Sequence, residues 1–244
     1  MIKMLATSRR KPGMTHAEYL HYVEHVHGAM AREKPLGIRR YVQSHIFDGG
    51  FGTDQDVGYQ QPFHRDSVTE LYFEDFAGLI QTFTDPHVQQ KIGPDGANFA
   101  DLSEQAAQLM AEVELPVANP GAAGIKVMHF LKKAEGVSLD DFFRRWSDAH
   151  HAWQEAHPQA AAHLRKYVQG RYLPEGDRIT AYFGPNVRVY EGVASLWFDD
   201  DTALASFRAY RLALEASSAH GPAFFNPSGS FFVYGREVPI FDLT

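Results

Sequence analysis

Arg39-Arg40-Tyr41-Val42-Gln43 returns 126 positions later as Arg165-Lys166-Tyr167-Val168-Gln169. Upstream of that pair, Ile2-Lys3-Met4 answers to Ile125-Lys126-Val127. Downstream, Glu70-Leu71-Tyr72-Phe73-Glu74-Asp75 answers to Ser195-Leu196-Trp197-Phe198-Asp199-Asp200. The three matches keep their order at offsets of 123 to 126. A repeat this long reads as a duplicated domain, because solenoid units recur every 20–50 residues or so. The expected division is a first domain over residues 1–116, a linker over 117–124 and a second domain over 125–244.

Each expected domain has about 120 residues, enough to bury a small core of its own. The net charge of −7 and the lack of a basic cluster speak against nucleic acid or an anionic membrane as partner. With no cysteine, disulfides, thiolate catalysis and Cys-based metal sites are excluded. No stretch approaches the roughly 20 apolar residues of a membrane span. The opening Ile2-Lys3-Met4-Leu5-Ala6, followed by Arg9-Arg10-Lys11, lacks the pattern of a signal peptide. A cytoplasmic location is expected, and a homo-oligomer is left open.

The first copy begins with a short apolar strand and a Lys11-Pro12-Gly13 turn. Thr15-His16-Ala17-Glu18 then has the spacing of a capping box, and Ser138-Leu139-Asp140-Asp141 occupies the same place in the second copy. The helix that follows carries Tyr19, Leu20, Val23, Val26, His27 and Met30 on one stripe, and its counterpart Phe142, Phe143, Trp146, Ala149, His150 and Trp153. Strands are expected over 39–47 and 165–173, 68–73 and 193–198, and 109–115 and 230–239. Second helices should start near Asp75 and Asp200. The order is β-α-β-β-α-β, the ferredoxin-like arrangement, twice. A four-stranded sheet with helices on one face needs a cover for the other. The expected fold is therefore α+β: tandem ferredoxin-like domains packed sheet to sheet as an intramolecular α+β barrel, with Asn119-Pro120-Gly121 in a hinge between them.

Arg10-Lys11-Pro12-Gly13-Met14, His25-Val26-His27-Gly28 and Arg40-Tyr41-Val42-Gln43, in that order, resemble the EthD family of dimeric α+β barrel proteins. The second half keeps His150, Tyr167, Val168 and Gln169, but places His151 where Gly28 stands. The resemblance implies a pseudo-dimer within one chain. Relatives of this barrel include cofactor-independent cyclases, decarboxylases, dehydratases, isomerases and monooxygenases, so the fold does not choose the reaction.

His27 falls four and seven residues after Val23 and Leu20, and so points with the apolar stripe towards the sheet. An imidazole there suits proton transfer; the alternative is a core histidine bonded to a backbone carbonyl. Tyr41, Gln43 and His45 alternate along a strand and share one face, as do Tyr167, Gln169 and Arg171. They would line a cavity, or else form a polar edge. Glu70, on a strand face with Val68 and Tyr72, is Ser195 in the second copy. It reads either as an acid or base beside His27 or as a salt-bridge partner of an arginine such as Arg40. An alternative second site would join His129, His150 and Arg171. The histidine spacings do not make a metal site, Gly49-Gly50-Phe51-Gly52 is no phosphate cradle, and no cofactor is called for. The loops over 48–66 and 174–188 are candidate lids, carrying Phe51, Tyr59 and Phe63, and Tyr182 and Phe183.

The functional expectation is cofactor-independent acid–base chemistry, of lyase, dehydratase, decarboxylase or isomerase type, on a small aromatic or otherwise apolar ligand. His27 would be the base, Glu70 its partner, and Tyr41 and His45 donors. Gln43, Tyr72, His129, His150, Tyr167 and Arg171 would contact substrate. The alternatives are a cofactor-free monooxygenase and a non-catalytic ligand-binding accessory protein.

Overall fold

The computed structural model describes residues 1–50, 56, 58–59, 65–103, 105–177, 181–183, 187–217 and 222–244. Phe51, Gly52 and Phe63 of the expected lid lie outside them. The first half runs β1 (Ile2–Arg10), α1 (His16–Tyr22), a π-helical turn (Val23–His27), α2 (Gly28–Glu33), β2 (Ile38–Ile46), β3 (Ser67–Phe73) and α3 (Phe76–Thr84). A second π turn (Val88–Ile92), α4 (Gly93–Phe99), a two-residue β4 (Ala100–Asp101) and β5 (Ala107–Leu115) complete it. The second half runs β6 (Ile125–Lys133), α5 (Leu139–Ala156), α6 (Pro158–Ala161), β7 (Leu164–Tyr172), β8 (Gly192–Phe198), α7 (Ala203–Ala216) and β9 (Phe225–Asp242).

The eight long strands close into one antiparallel barrel in the order β1-β3-β2-β9-β6-β8-β7-β5, with β5 returning to β1. Two stacked sheets were expected, but the halves are instead hydrogen-bonded through their last strands. Met110–Leu115 of β5 pair with β7, while the end of β9 pairs with Arg40–Ile46 of β2. β2 therefore has neighbours on both sides and is no edge strand. Barrel closure leaves none of the long strands with a free edge.

Residues 116–124 are tied down and do not act as a free hinge. Asn119 donates to the Ala162 carbonyl at 3.1 Å, and the Gly121 and Gly124 N–H groups donate to the carbonyls of Arg165 and Phe198. A Cβ on Gly124 would stand 1.7 Å from an Asp200 carboxylate oxygen, so a larger residue there would have to displace that exposed side chain.

Thr15 forms a complete capping box with Glu18. At Ser138 only the hydroxyl arm is present, since the shorter Asp141 carboxylate turns to Arg144. Asp75 caps α3, accepting from the Gly78 N–H at 2.9 Å, whereas the last helix starts beyond Asp200, after Thr202. The π turn at Val23–His27 inserts one residue into the helical repeat and breaks the expected stripe. Val26 turns to solvent at 39% exposure, while Val23, Gly28 and Ala31 are buried.

Alternation sorts every barrel strand into an inner and an outer face. Inside, Leu5, Ile46, Val68, Met110, Met128, Phe130, Val193, Phe231 and Val233 pack together. Outside, the helices of each half cover their own strands. No helix among the described residues is long and apolar enough to cross a membrane.

Candidate functional site

The outer face of β1, β2 and β3 in the first half does not meet its helices everywhere. Between them lies a cavity of about 230 Å³. Its floor is made by Met4, Ala6 and Ser8 of β1, Thr69 and Leu71 of β3, and Ile38 and Tyr41 of β2. Its roof is made by Val23, His27 and Ala31 on one side and Val88, Ile92 and Phe99 on the other. Among the described lining residues, none is Asp, Glu, Lys or Arg. Tyr182 and Phe183 come from the second half and meet Phe83 edge-on at 5.2 and 6.1 Å, so the two halves share the wall.

His27 is carried by the first π turn, and Asp95 by the helix that follows the second. His27 Nδ1 lies 2.9 Å from Asp95 Oδ2. The carboxylate also accepts the Tyr22 hydroxyl at 2.8 Å and the Asn98 amide at 2.9 Å. Burial alone would raise the Asp95 pKa, but the bonds from Asn98, His27 and Tyr22 outweigh it and hold the acid below its ordinary value. Burial lowers the His27 pKa, and Asp95 offsets this only in part. At neutral pH the pair is a carboxylate and a neutral imidazole. With Nδ1–H donated to Asp95, the lone pair sits on Nε2. Phe99, 4.9 Å from the imidazole between centroids, fixes the ring plane.

The other expected residues divide between the two faces of the strands. Tyr41, Gln43 and His45 all face the helices. The Gln43 amide donates to the Tyr41 phenol oxygen and to the Val23 carbonyl, each at 2.8 Å, and its Oε1 meets His45 Nε2 at 2.8 Å. Tyr41 lines the cavity, with the Thr69 hydroxyl in contact with its own. Gln43 stands behind Tyr41. His45 lies beyond Gln43, away from the lining, and burial lowers its pKa.

Glu70 and Tyr72 point into the barrel, so Glu70 is not the partner of His27. One Glu70 oxygen takes Lys3 at 3.0 Å and the other pairs closely with Lys126. Lys3 and Lys126 also reach Glu112 at 2.6 Å and Glu237 at 3.0 Å, and Arg40 pairs with Glu237, not with Glu70. Burial would raise the Glu70 pKa, but Lys126 and Lys3 pull it down to about 2. Tyr72 bonds Glu112 and lies under the Arg40 guanidinium. The strand has two buried faces, so alternation alone could not say which of them held the carboxylate.

The second half is filled at the corresponding place. His150 stacks on Tyr167 at 3.7 Å between centroids, beside Trp153 and Tyr210. Arg171 donates to Ser147 and Gln169. His129 stands apart from both, enclosed by Tyr59, Phe207, Phe225 and Phe232. The three do not form one site. Tyr59, on the other expected lid, packs onto this second-half core. Among the described residues no group of three His, Asp or Glu side chains is placed to hold a metal ion.

Residues 11–103 match the EthD domain, a span that contains His27 and Asp95. Dehydratase aurZ of Gibberella zeae is 25% identical over 114 residues, 41% of this chain and 70% of that protein. The conidial pigment biosynthesis dehydratase EthD of Metarhizium robertsii is 25% identical over 116 residues, 42% of this chain and 76% of that one. An anthrone oxidase-like protein of known structure superposes with a TM-score of 0.55 at 8% identity, covering 100% of this chain and 94% of its own. A mutant chlorite dismutase from Candidatus Nitrospira defluvii gives a TM-score of 0.50 at 11% identity, covering 98% and 92%. At such identities the two structures speak to the α+β barrel fold alone.

Proposed function

Taking the EthD domain over residues 11–103 as premise, we propose that the chain is a dehydratase-type enzyme acting on a neutral, apolar ligand in the first-half cavity. The observation that carries this reading is the His27–Asp95 pair on the wall of a cavity otherwise lined by uncharged side chains. Two relatives named as dehydratases support it. His27 Nε2 removes a proton next to a carbonyl. Asp95 keeps the proton on Nδ1 and stabilises the imidazolium that forms. The Tyr41 phenol, whose oxygen already accepts from Gln43, keeps its own hydrogen for the developing enolate oxygen. The imidazolium then returns its proton to the departing hydroxyl. One C–H and one C–O bond break, a C=C bond forms, and water leaves.

The same reading takes residues 1–116 and 125–244 as two ferredoxin-like copies and places the chemistry in the first. Its support is the matched strand order of the halves and the packing of the second half around His150. The aldol of benzaldehyde and acetone is a suitable probe, because its dehydration product absorbs strongly in the near ultraviolet. His27→Ala should lower turnover by about 10²–10⁴-fold, and Asp95→Asn should lower it as well. His150→Ala should keep turnover and cost about 1–3 kcal/mol of stability. Silent His27→Ala and inactive His150→Ala would reverse the assignment, and oxygen uptake without water loss would replace the dehydratase by an oxygenase.

A further inference from the structure

Ser8 lines the cavity floor, and its hydroxyl belongs to a ring of three. Ser8 Oγ lies 2.5 Å from the Tyr19 hydroxyl, which lies 2.7 Å from Ser67 Oγ, which closes back on Ser8 at 3.1 Å. Burial pushes the Tyr19 phenol pKa up, so it stays protonated. Three hydroxyls hold three hydrogens, and three contacts use all of them, whichever way the ring is directed. Each oxygen is left with acceptor capacity only. Tyr19 and Ser67 are sealed from solvent, so Ser8 is the member that can offer its lone pair to the cavity. Two threonine hydroxyls of the lining are already engaged. Thr82 donates to the Gly78 carbonyl and accepts the Gly37 N–H, while Thr7 accepts the Ala106 N–H.

We propose that Ser8 is a substrate-binding residue that accepts a hydrogen bond from a hydroxyl of the ligand, with Tyr19 and Ser67 as positioning residues behind it. The cavity thereby selects hydroxylated apolar molecules over isosteres that cannot donate. This rests on the reading of the cavity as the substrate site. It adds a hydroxyl acceptor on the floor, separate from the base on the roof. Donation around a closed ring polarises each oxygen, which strengthens Ser8 as an acceptor.

The test is binding of 2-naphthol and of 2-methoxynaphthalene, which share the ring system but differ in the donor, to the full chain by fluorescence titration. The native protein should bind 2-naphthol about three- to tenfold more tightly, the range of one net hydrogen bond. Ser8→Ala should bring the ratio to about one while 2-methoxynaphthalene binds as before. Tyr19→Phe keeps the ring packed against Phe99 and touches no ligand; it should shrink the ratio too, whereas a packing role alone would weaken both ligands equally. A native ratio near one, or an unchanged ratio in both variants, overturns the role of Ser8 and leaves the cavity reading standing. If neither compound binds the native protein, the cavity reading falls and this inference with it.

Discussion

Lowering the pH from 6.5 to 5.0 should destabilise the fold by about 3 kcal/mol, and two buried histidines account for the loss. His129 is fully enclosed by aromatic rings, and neither ring nitrogen has a hydrogen-bond partner among the described residues. Burial, helped by the charge of Arg211, lowers its pKa to about 3. Burial, helped by His151, lowers that of His150 to about 4. Each folded-state pKa lies below the unfolded value of 6.5, so the unfolded chain takes up protons that the folded chain refuses. Stability is then full above pH 6.5 and falls towards the folded pKa by about 1.4 kcal/mol per pH unit for each histidine. Because the unfolded imidazole is already half protonated at pH 6.5, the loss over 1.5 units is about 1.6 kcal/mol each. His129→Phe fills the same aromatic box without a titrating group and should remove about half of the slope. It should also stabilise the protein at pH 7.5 by about 1–3 kcal/mol, because it no longer buries unsatisfied nitrogens. His27 and His45 have lowered pKa values and act in the same sense, so some slope will remain. Urea unfolding followed by tryptophan fluorescence at pH 7.5, 6.5, 5.5 and 5.0 measures all of this. Equal stability at pH 6.5 and 5.0, or an unchanged slope in His129→Phe, would refute the reasoning.

The acid limb of the pH–rate profile should lie below pH 6.5, because burial lowers His27, and initial rates from pH 4.5 to 8 locate it. Glu70→Gln leaves Lys3 and Lys126 buried without their shared carboxylate and should cost about 3–5 kcal/mol in a urea melt. Residues 1–116 alone would lose the β5–β7 and β2–β9 pairings, so that fragment should aggregate or self-associate in size-exclusion chromatography.

The fold was legible because its signals are local. Strand alternation and the Thr15 capping box each act within a few residues. The way the halves join was less so. A final strand that pairs with both halves, as β5 and β9 do, has the same alternation as one that pairs within its own. Of the four residues expected to be catalytic, His27 and Tyr41 lie on the cavity wall, and Glu70 and His45 do not. Asp95 is 68 residues from its histidine, and an acid in the first turn of a short helix after Gly93-Pro94 looks like ordinary compensation of the helix dipole. The π turns left no mark either, since inserting one residue into a helix needs no special composition.

The histidine that recurs in both halves marks a position on the helix and does not by itself mark a chemistry. In the first half the helix is broken by a π turn, Val23 and Ala31 line the cavity over the sheet, and a second broken helix brings Asp95 to the imidazole. In the second half α5 is continuous over 18 residues, and Trp146 and Trp153 stand where the sequence repeat puts Val23 and Met30. Both indoles are buried, and His150 is pressed flat against Tyr167. A base needs both an orienting acid and room for a substrate within hydrogen-bond reach. His27 has both, whereas His150 has aromatic neighbours and the Gln154 amide in their place.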